Sequence, residues 1–221
     1  LRRYVLIPLS INLVLFMIAI IYLWTQVGIW VDGILAFIPQ FFDFLEYLLW
    51  PFLFVTVVIS MAFTFTTVAN FIAAPFNALL SEKVELHLTG QALAEQGFSA
   101  FMADVPRMLK REWTKFIYYL PRALVFLLFF FLPVIGQVVW FLFTSWMMAI
   151  QYCDYPYDNH KITFDKMREQ LRGDLTGSYS FGITVSIASM VPFLNLLVMP
   201  VAVCGATAMW VDRYKQSHYP R

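Results

Sequence analysis

Charged residues are scarce in this chain of 221 residues: Asp, Glu, Lys and Arg together make up 13% of it, whereas 61% is hydrophobic. Four long stretches contain no charged side chain at all, namely 4–31, 47–81, 123–153 and 175–211. A helix needs about 20 consecutive, mostly apolar residues to cross a bilayer, because lipid offers no partner for a backbone N–H or C=O group. Every stretch is long enough, so the sequence predicts an integral membrane protein.

Other absences exclude whole classes of function. A net charge of +1 argues against a nucleic-acid partner. The chain has no glycine-rich phosphate loop, no His-Glu-x-x-His, no Cys-x-x-Cys and no Gly-x-Ser-x-Gly. We therefore expect no catalytic residue, no cofactor, no metal site and no enzyme activity. The two cysteines, Cys153 and Cys204, lie at the end of or within apolar stretches, where small buried hydrophobic side chains are expected.

The basic residues are distributed unevenly between the apolar stretches. Segment 32–46 contains acids and no Lys or Arg, whereas segment 82–122 contains six Lys and Arg, and two arginines precede the first stretch. The positive-inside rule therefore places 32–46 on one side of the membrane and 82–122 on the other. We expect 4–31 and 47–81 to be two transmembrane helices, and the first is too long for a cleaved signal peptide.

The third and fourth stretches are predicted to enter the membrane without crossing it. Single crossings would place segment 154–174, with its four Lys and Arg, on the acidic side. Helix breakers at 133–136 and 192–200 divide these stretches into halves of about 15 residues, too short to span. The predicted fold is one all-α membrane domain with two long transmembrane helices and two re-entrant hairpins, at 123–153 and 175–211. Two ordinary kinked spans are the alternative.

Segment 82–122 is predicted to form amphipathic, charged helices, and 154–174 a polar connector. Apolar residues recur at three- and four-residue spacing from Phe98 to Leu120, and Asp104 is the expected helix start. The opposite face gathers four cations: Arg107, Lys110, Arg111 and Lys115. This basic face either meets anionic lipid headgroups or attracts and relays an anion.

Candidate pathway residues follow from the second interpretation. They are Arg107 and Arg111, the acids Glu82 and Glu112, and Asn195 within the last apolar stretch. Acids that flank the apolar stretches, including Asp154, are expected at the inner surface. There they either pair with cations such as Arg111 and so close a conduction path, or stay exposed as interfacial charges. Asn195 is otherwise explained by a hydrogen bond between helices.

Two arginines stand at the start of the first predicted helix. Arg2 and Arg3 oppose the helix dipole there, so an anion between them is expected to compensate. A tetrahedral oxyanion would accept charge-assisted hydrogen bonds from both guanidinium groups and from free N–H groups of the first turn. The alternative is that both residues are topological anchors.

Several motifs, spaced in order along essentially the whole chain, together resemble one family. They are AAPFNALLSEKVE at 73–85, YYLP at 118–121, PVIG at 133–136, YCDYPYDNH at 152–160, PFLN at 192–195 and MPVAVCGATA at 199–208. These motifs are similar to those of the bacterial CysZ family of sulfate permeases.

The resemblance implies a multi-pass protein of the bacterial inner membrane, assembled as a homo-oligomer, that admits sulfate for cysteine biosynthesis. Mixed membrane orientations are part of the same expectation. The family's Gly-Leu-Arg motif matches Leu1-Arg2 in its last two positions, and its glycine is expected ahead of Leu1. Sulfate is then expected at Leu1, Arg2, Arg3 and Tyr4. The alternative function is a non-transporting membrane scaffold or assembly factor.

Overall fold

Helices form all the regular structure that is described in this protein. A computed structural model describes residues 46–91 and 98–215, together with isolated positions between 10 and 36. Every regular element within these residues is a helix, so the all-α prediction is confirmed. The chain divides after Ala73 into two compact units, each described here by itself.

Helix α1 runs from Glu46 to Thr89 and contains the predicted stretch 47–81. Its segment Phe54–Thr89, with a mean hydropathy of 1.8, is the one described helix that is long and apolar enough to cross a membrane. Threonine hydroxyls along it donate to carbonyl groups one turn earlier, which satisfies polar groups inside an apolar helix. The predicted stretch 4–31 lies largely outside the described residues.

Helices α2 (Phe98–Phe129) and α3 (Ile135–Asn159) are joined by a tight turn. Pro133 lies in this turn and Val134 has a φ of 65°, so the backbone cannot continue as a helix. A Cβ atom on Gly136 would lie 2.0 Å from the carbonyl oxygen of Phe129, so only glycine fits this close approach. The breaker at 133–136 thus separates two helices.

Asp104 does not start a helix, which corrects the expectation from the sequence. Helix α2 begins at Phe98, because the residues between Phe98 and Asp104 include no helix breaker. Asp104 therefore lies inside α2, where its side chain forms ion pairs instead of a cap.

Three further helices complete the second unit. Helix α4 (Phe164–Gly173) begins after the N-cap Thr163, and α5 (Leu175–Met190) begins after Asp174, whose side chain accepts from the Gly177 N–H at 3.0 Å. Val191 separates α5 from α6, which spans Pro192–Met209 and carries proline in its first turn. A π-helical turn, Trp210–Tyr214, follows directly.

Helix α3 is the centre of this unit and packs against α2, α4, α5, α6 and the π-helical turn. Its contact with α5 is the closest, because a Cβ atom on Gly182 would lie 1.9 Å from the carbonyl oxygen of Ser145. Small residues let two helix backbones approach in this way. The hydroxyl of Ser145 then donates to Ser186 across the contact, at 3.4 Å.

Burial in this unit departs from that in a water-soluble protein at two places. Glu112 and Lys115 on α2 are buried, whereas large apolar side chains around the α2–α3 and α5–α6 turns are exposed. The most exposed of them are Phe131, Val134, Leu128, Met190 and Ile135. Exposed apolar patches of this size mark a surface that contacts lipid or another protein.

Candidate functional site

Cations and acids face each other across the contact between α2 and α3. Arg107, Arg111 and Lys115 recur every four residues along α2, and Asp154 and Asp158 do the same on α3. Residues four apart lie on one face of a helix. Each helix therefore presents a row of one sign of charge to the other.

The innermost pairs are well formed and buried. Arg111 donates from Nη2 to Asp154 Oδ1 at 2.6 Å and from Nε to both carboxylate oxygens at 2.9 and 3.1 Å. Lys115 Nζ lies 3.5 Å from Asp154 Oδ2 and also donates to Glu112. The Asp154 side chain is only 1% exposed, so these cations offset the cost of burying it.

The outer pairs continue the alternation toward the surface. Arg107 donates to the carboxylate of Asp158 and, at 3.2 Å, to the Asp158 carbonyl oxygen. It also lies 3.3 Å from Asp104, whose other partner is Lys161, 49% exposed. We call this group the charge ladder: Lys161, Asp104, Arg107, Asp158, Arg111, Asp154, Lys115 and Glu112. It contains four cations and four acids, so it is neutral overall.

The acids of the outer part differ in their pKa. The hydrogen bond from Lys161 lowers the pKa of Asp104 below its ordinary value, and Arg107 adds to this effect. Burial raises the pKa of Asp158, with a contribution from the nearby Asp154 and an opposing one from Arg107. The pKa of Asp158 is therefore higher than that of Asp104, so of these two acids Asp158 binds a proton more readily.

A small cleft lies beside the inner part of the charge ladder. It offers about 10 Å³, room for about one water molecule, and Arg111, Glu112, Asp154 and Asp158 line it together with apolar residues. Tyr155 also lines it, and its hydroxyl accepts from Gln151 and Asn77, both at 3.2 Å. The cleft thus combines charged and apolar lining residues and is too small for a hydrated sulfate.

A second buried charge cluster joins three distant parts of the chain. Glu85 on α1 lies 2.8 Å from His160 Nε2 and 2.9 Å from Lys215 Nζ. The ring of His160 also packs on Trp210 in the π-helical turn, with centroids 5.0 Å apart. Sequence reasoning missed this cluster because its members are far apart in sequence, although Glu85 and His160 end two of the motifs quoted above.

The structure unites only some of the predicted pathway residues. Arg107, Arg111 and Glu112 belong to the charge ladder, whereas Glu82 is half-buried on α1 and Asn195 is exposed in the first turn of α6. The predicted sulfate-binding residues, Leu1, Arg2, Arg3 and Tyr4, lie outside the described residues. Among the described residues no group of three or more His, Cys, Asp or Glu is arranged to hold a metal ion.

The lipid-headgroup interpretation of the basic face is wrong for Arg111 and Lys115. These two cations are 13% and 3% exposed and meet acids of α3, while Lys110 is exposed as expected. The pairing of Arg111 with Asp154, considered from the sequence, is present. Asp158 was missed, although its four-residue spacing from Asp154 matches that of Arg107 and Arg111 and was the available signal.

Comparison with known families identifies the chain. The family described as sulfate transporter CysZ/etoposide-induced protein 2.4 matches residues 1–200. The chain belongs to this family. The resemblance drawn from the motifs is therefore confirmed. This family is a transporter family and not an enzyme family. Membership indicates a sulfate-transporter-like function, with sulfate as the substrate and membrane lipid as the surroundings.

Proposed function

We propose that this protein is a sulfate permease that mediates sulfate uptake across the bacterial inner membrane for cysteine biosynthesis. Family membership supports the substrate. The observation that carries the proposal is the charge ladder, in which buried cations of α2 are held by acids of α3.

The charge ladder suits the transfer of an anion because its cations can exchange partners. A sulfate oxygen accepts the same charge-assisted hydrogen bonds that a carboxylate accepts. Sulfate that displaces Asp158 from Arg107, and then Asp154 from Arg111, therefore keeps each guanidinium paired. At rest the acids occupy the cations and leave room for about one water molecule, which closes the path. Glu82, Glu112 and Asn195 remain further pathway candidates.

A measurement of sulfate uptake by the purified protein tests the proposed role of the charge ladder. Proteoliposomes containing only this chain should accumulate labelled sulfate. The neutral double variant Arg111→Gln/Asp154→Asn removes a buried pair without leaving a lone charge, and should change the uptake rate. Arg213→Gln/Asp174→Asn removes the more exposed pair, 3.0 Å apart, and should leave uptake as in the parent, since asparagine still caps α5.

The outcomes separate the two classes of function. Equal uptake by both double variants would contradict a pathway through the charge ladder. Proteoliposomes of the folded parent that take up no sulfate at all would favour the non-transporting scaffold or assembly factor.

The proposed entry site is formed by Leu1, Arg2, Arg3 and Tyr4. Its support is the sequence, because two cations at the positive end of a helix need an anion. Charge-assisted hydrogen bonds contribute about 1.5–3 kcal/mol each, so Arg2→Gln should weaken sulfate binding by roughly tenfold or more. Calorimetry on detergent-solubilised protein measures this, and unchanged affinity in Arg2→Gln/Arg3→Gln would return both residues to the role of anchors.

The proposed architecture has two transmembrane helices, two re-entrant hairpins and a homo-oligomeric assembly. The exposed apolar turns of both helix pairs support insertion. Single cysteines in 32–46, 82–122 and 154–174, in a background without Cys153 and Cys204, can be labelled from one side of the membrane once orientation is fixed by a fusion. Labelling of 154–174 on the same side as 32–46 would contradict the hairpins. Cross-linking in native membranes tests the oligomer.

A further inference from the structure

Two arginines from different helices pack on the ring of Tyr118. The Arg122 guanidinium carbon lies 3.7 Å from the ring centre, and that of Arg168, on α4, lies 4.6 Å from it. Arg168 also packs on the ring of Phe164, at 5.0 Å. Aromatic contacts of this kind fix the orientation of a guanidinium group. Both guanidinium groups are thus held against one tyrosine ring at the contact between α2 and α4.

The positive charge at this position is only partly compensated. Arg168 pairs with Asp165, whose side chain is 82% exposed. Arg122 is exposed, donates to the Tyr118 carbonyl oxygen at 2.8 Å, and has no acid within ion-pair distance among residues 46–91 and 98–215. One cationic charge therefore remains free to attract an anion from outside.

Apolar surface begins immediately beyond these cations. Arg122 is the last charged residue before stretch 123–153, and on the same side of α2 the next two turns expose Val125 and Phe129 by 56 and 42%. The surface thus changes from cationic to apolar within about one helical turn. A ligand that covers both parts must itself be amphiphilic.

We propose that Arg122 and Arg168 bind the headgroup phosphate of an anionic phospholipid, whose acyl chains lie against Val125 and Phe129. The guanidinium fork gives a phosphate two parallel hydrogen bonds, and the free charge favours an anionic over a zwitterionic headgroup. The charge ladder is not involved, because its cations already have acids as partners. This site is independent of the proposed transport function.

The test compares lipid binding by two variants of equal net charge. Delipidated protein in detergent is titrated with phosphatidylglycerol, and bound lipid is counted by native mass spectrometry. Arg122→Gln/Arg168→Gln should weaken binding by about tenfold or more. Lys166→Gln/Arg172→Gln removes two exposed cations that do not pack on Tyr118, and should stay close to the parent. If the double variant loses helix content, the single variant Arg122→Gln replaces it in the test. Its substitution is at an exposed position, and it should also weaken lipid binding.

Three results would overturn the proposal. Equal weakening by both double variants would indicate nonspecific attraction between charges. Equal binding of phosphatidylethanolamine and phosphatidylglycerol by the parent would remove the role of the free charge. Displacement of the lipid by glycerol phosphate at the same concentration would show a site for a free oxyanion, in which the exposed apolar residues take no part.

Discussion

The two ends of the α2–α3 pair bury opposite kinds of side chain. We call the end at the charge ladder the base and the end at 130–134 the turn. At the base, Asp154 and Lys115 have side chains that are 1% and 3% exposed, although both are charged. At the turn, Phe131 and Val134 are 82% and 76% exposed, although both are apolar. A water-soluble helical hairpin shows the opposite distribution.

This difference is what the proposed insertion of the turn would produce. Apolar side chains gain nothing from burial when lipid tails surround them, so a turn inserted into lipid would need no cover. Charged side chains cannot face lipid at low cost, so those near the membrane turn inward and pair. The charge ladder is therefore both the stable solution for the base and the best candidate for an anion pathway.

The largest expected effect is the loss of stability when a buried ion pair at the base is broken. Arg111→Gln leaves the buried Asp154 with only the more distant Lys115, and loss of one partner from a buried pair costs about 3–5 kcal/mol. We expect the melting temperature in detergent to fall sharply and Arg111→Gln/Asp154→Asn to recover most of the loss. A single variant as stable as the parent would mean that the pair contributes little to folding.

The next effect concerns the turn. Phe131→Arg places a charge on the side chain expected deepest in lipid, at a cost of about 2.5–3.5 kcal/mol for insertion. The control is Met102→Arg, because Met102 is also exposed but lies near the base. The membrane-inserted fraction should fall only for Phe131→Arg. If both variants insert equally well, the turn does not reach the bilayer interior.

A smaller loss of stability is expected from a glycine substitution next to the turn. The methyl group of Gly136→Ala would meet the Phe129 carbonyl oxygen at 2.0 Å, and overpacking of this kind costs about 1–3 kcal/mol. Gly173→Ala, at the end of α4, meets nothing within 4 Å and serves as the control. Thermal unfolding should separate the two, and equal melting temperatures would show that the turn relaxes.

The smallest effect is the pH dependence of the outer end of the ladder. Because Lys161 lowers the pKa of Asp104 from its usual 3.8, this carboxylate stabilises the fold above that value, and the contribution is lost as the pH falls through the folded-state pKa. Asp104→Asn should lower stability at pH 7 by less than about 1 kcal/mol. The difference in melting temperature between parent and variant should shrink as the pH falls below 3.8 and vanish below the folded-state pKa, and a constant difference would contradict this assignment.

Sequence patterns predicted the elements better than their partners. Absence of charge marked the stretch within α1, and Pro133 marked the turn, because both signals are local. The basic face of α2 was also recognised, but its pairing with acids was only one of two interpretations. Arg107 and Arg111 have the same spacing whether they meet lipid headgroups or carboxylates, and the distinction depends on α3, which follows some 40 residues later.

The sequence by itself determined that this is an all-helical membrane protein of a sulfate-transporter family, because apolar runs, helix breakers and motifs are read along the chain. Only the tertiary structure decided which charges are buried together. It brought Asp154 to Arg111, and Glu85 to a histidine 75 residues away, because close helix packing around α3 removes these groups from solvent and leaves each charge only the partners on neighbouring helices.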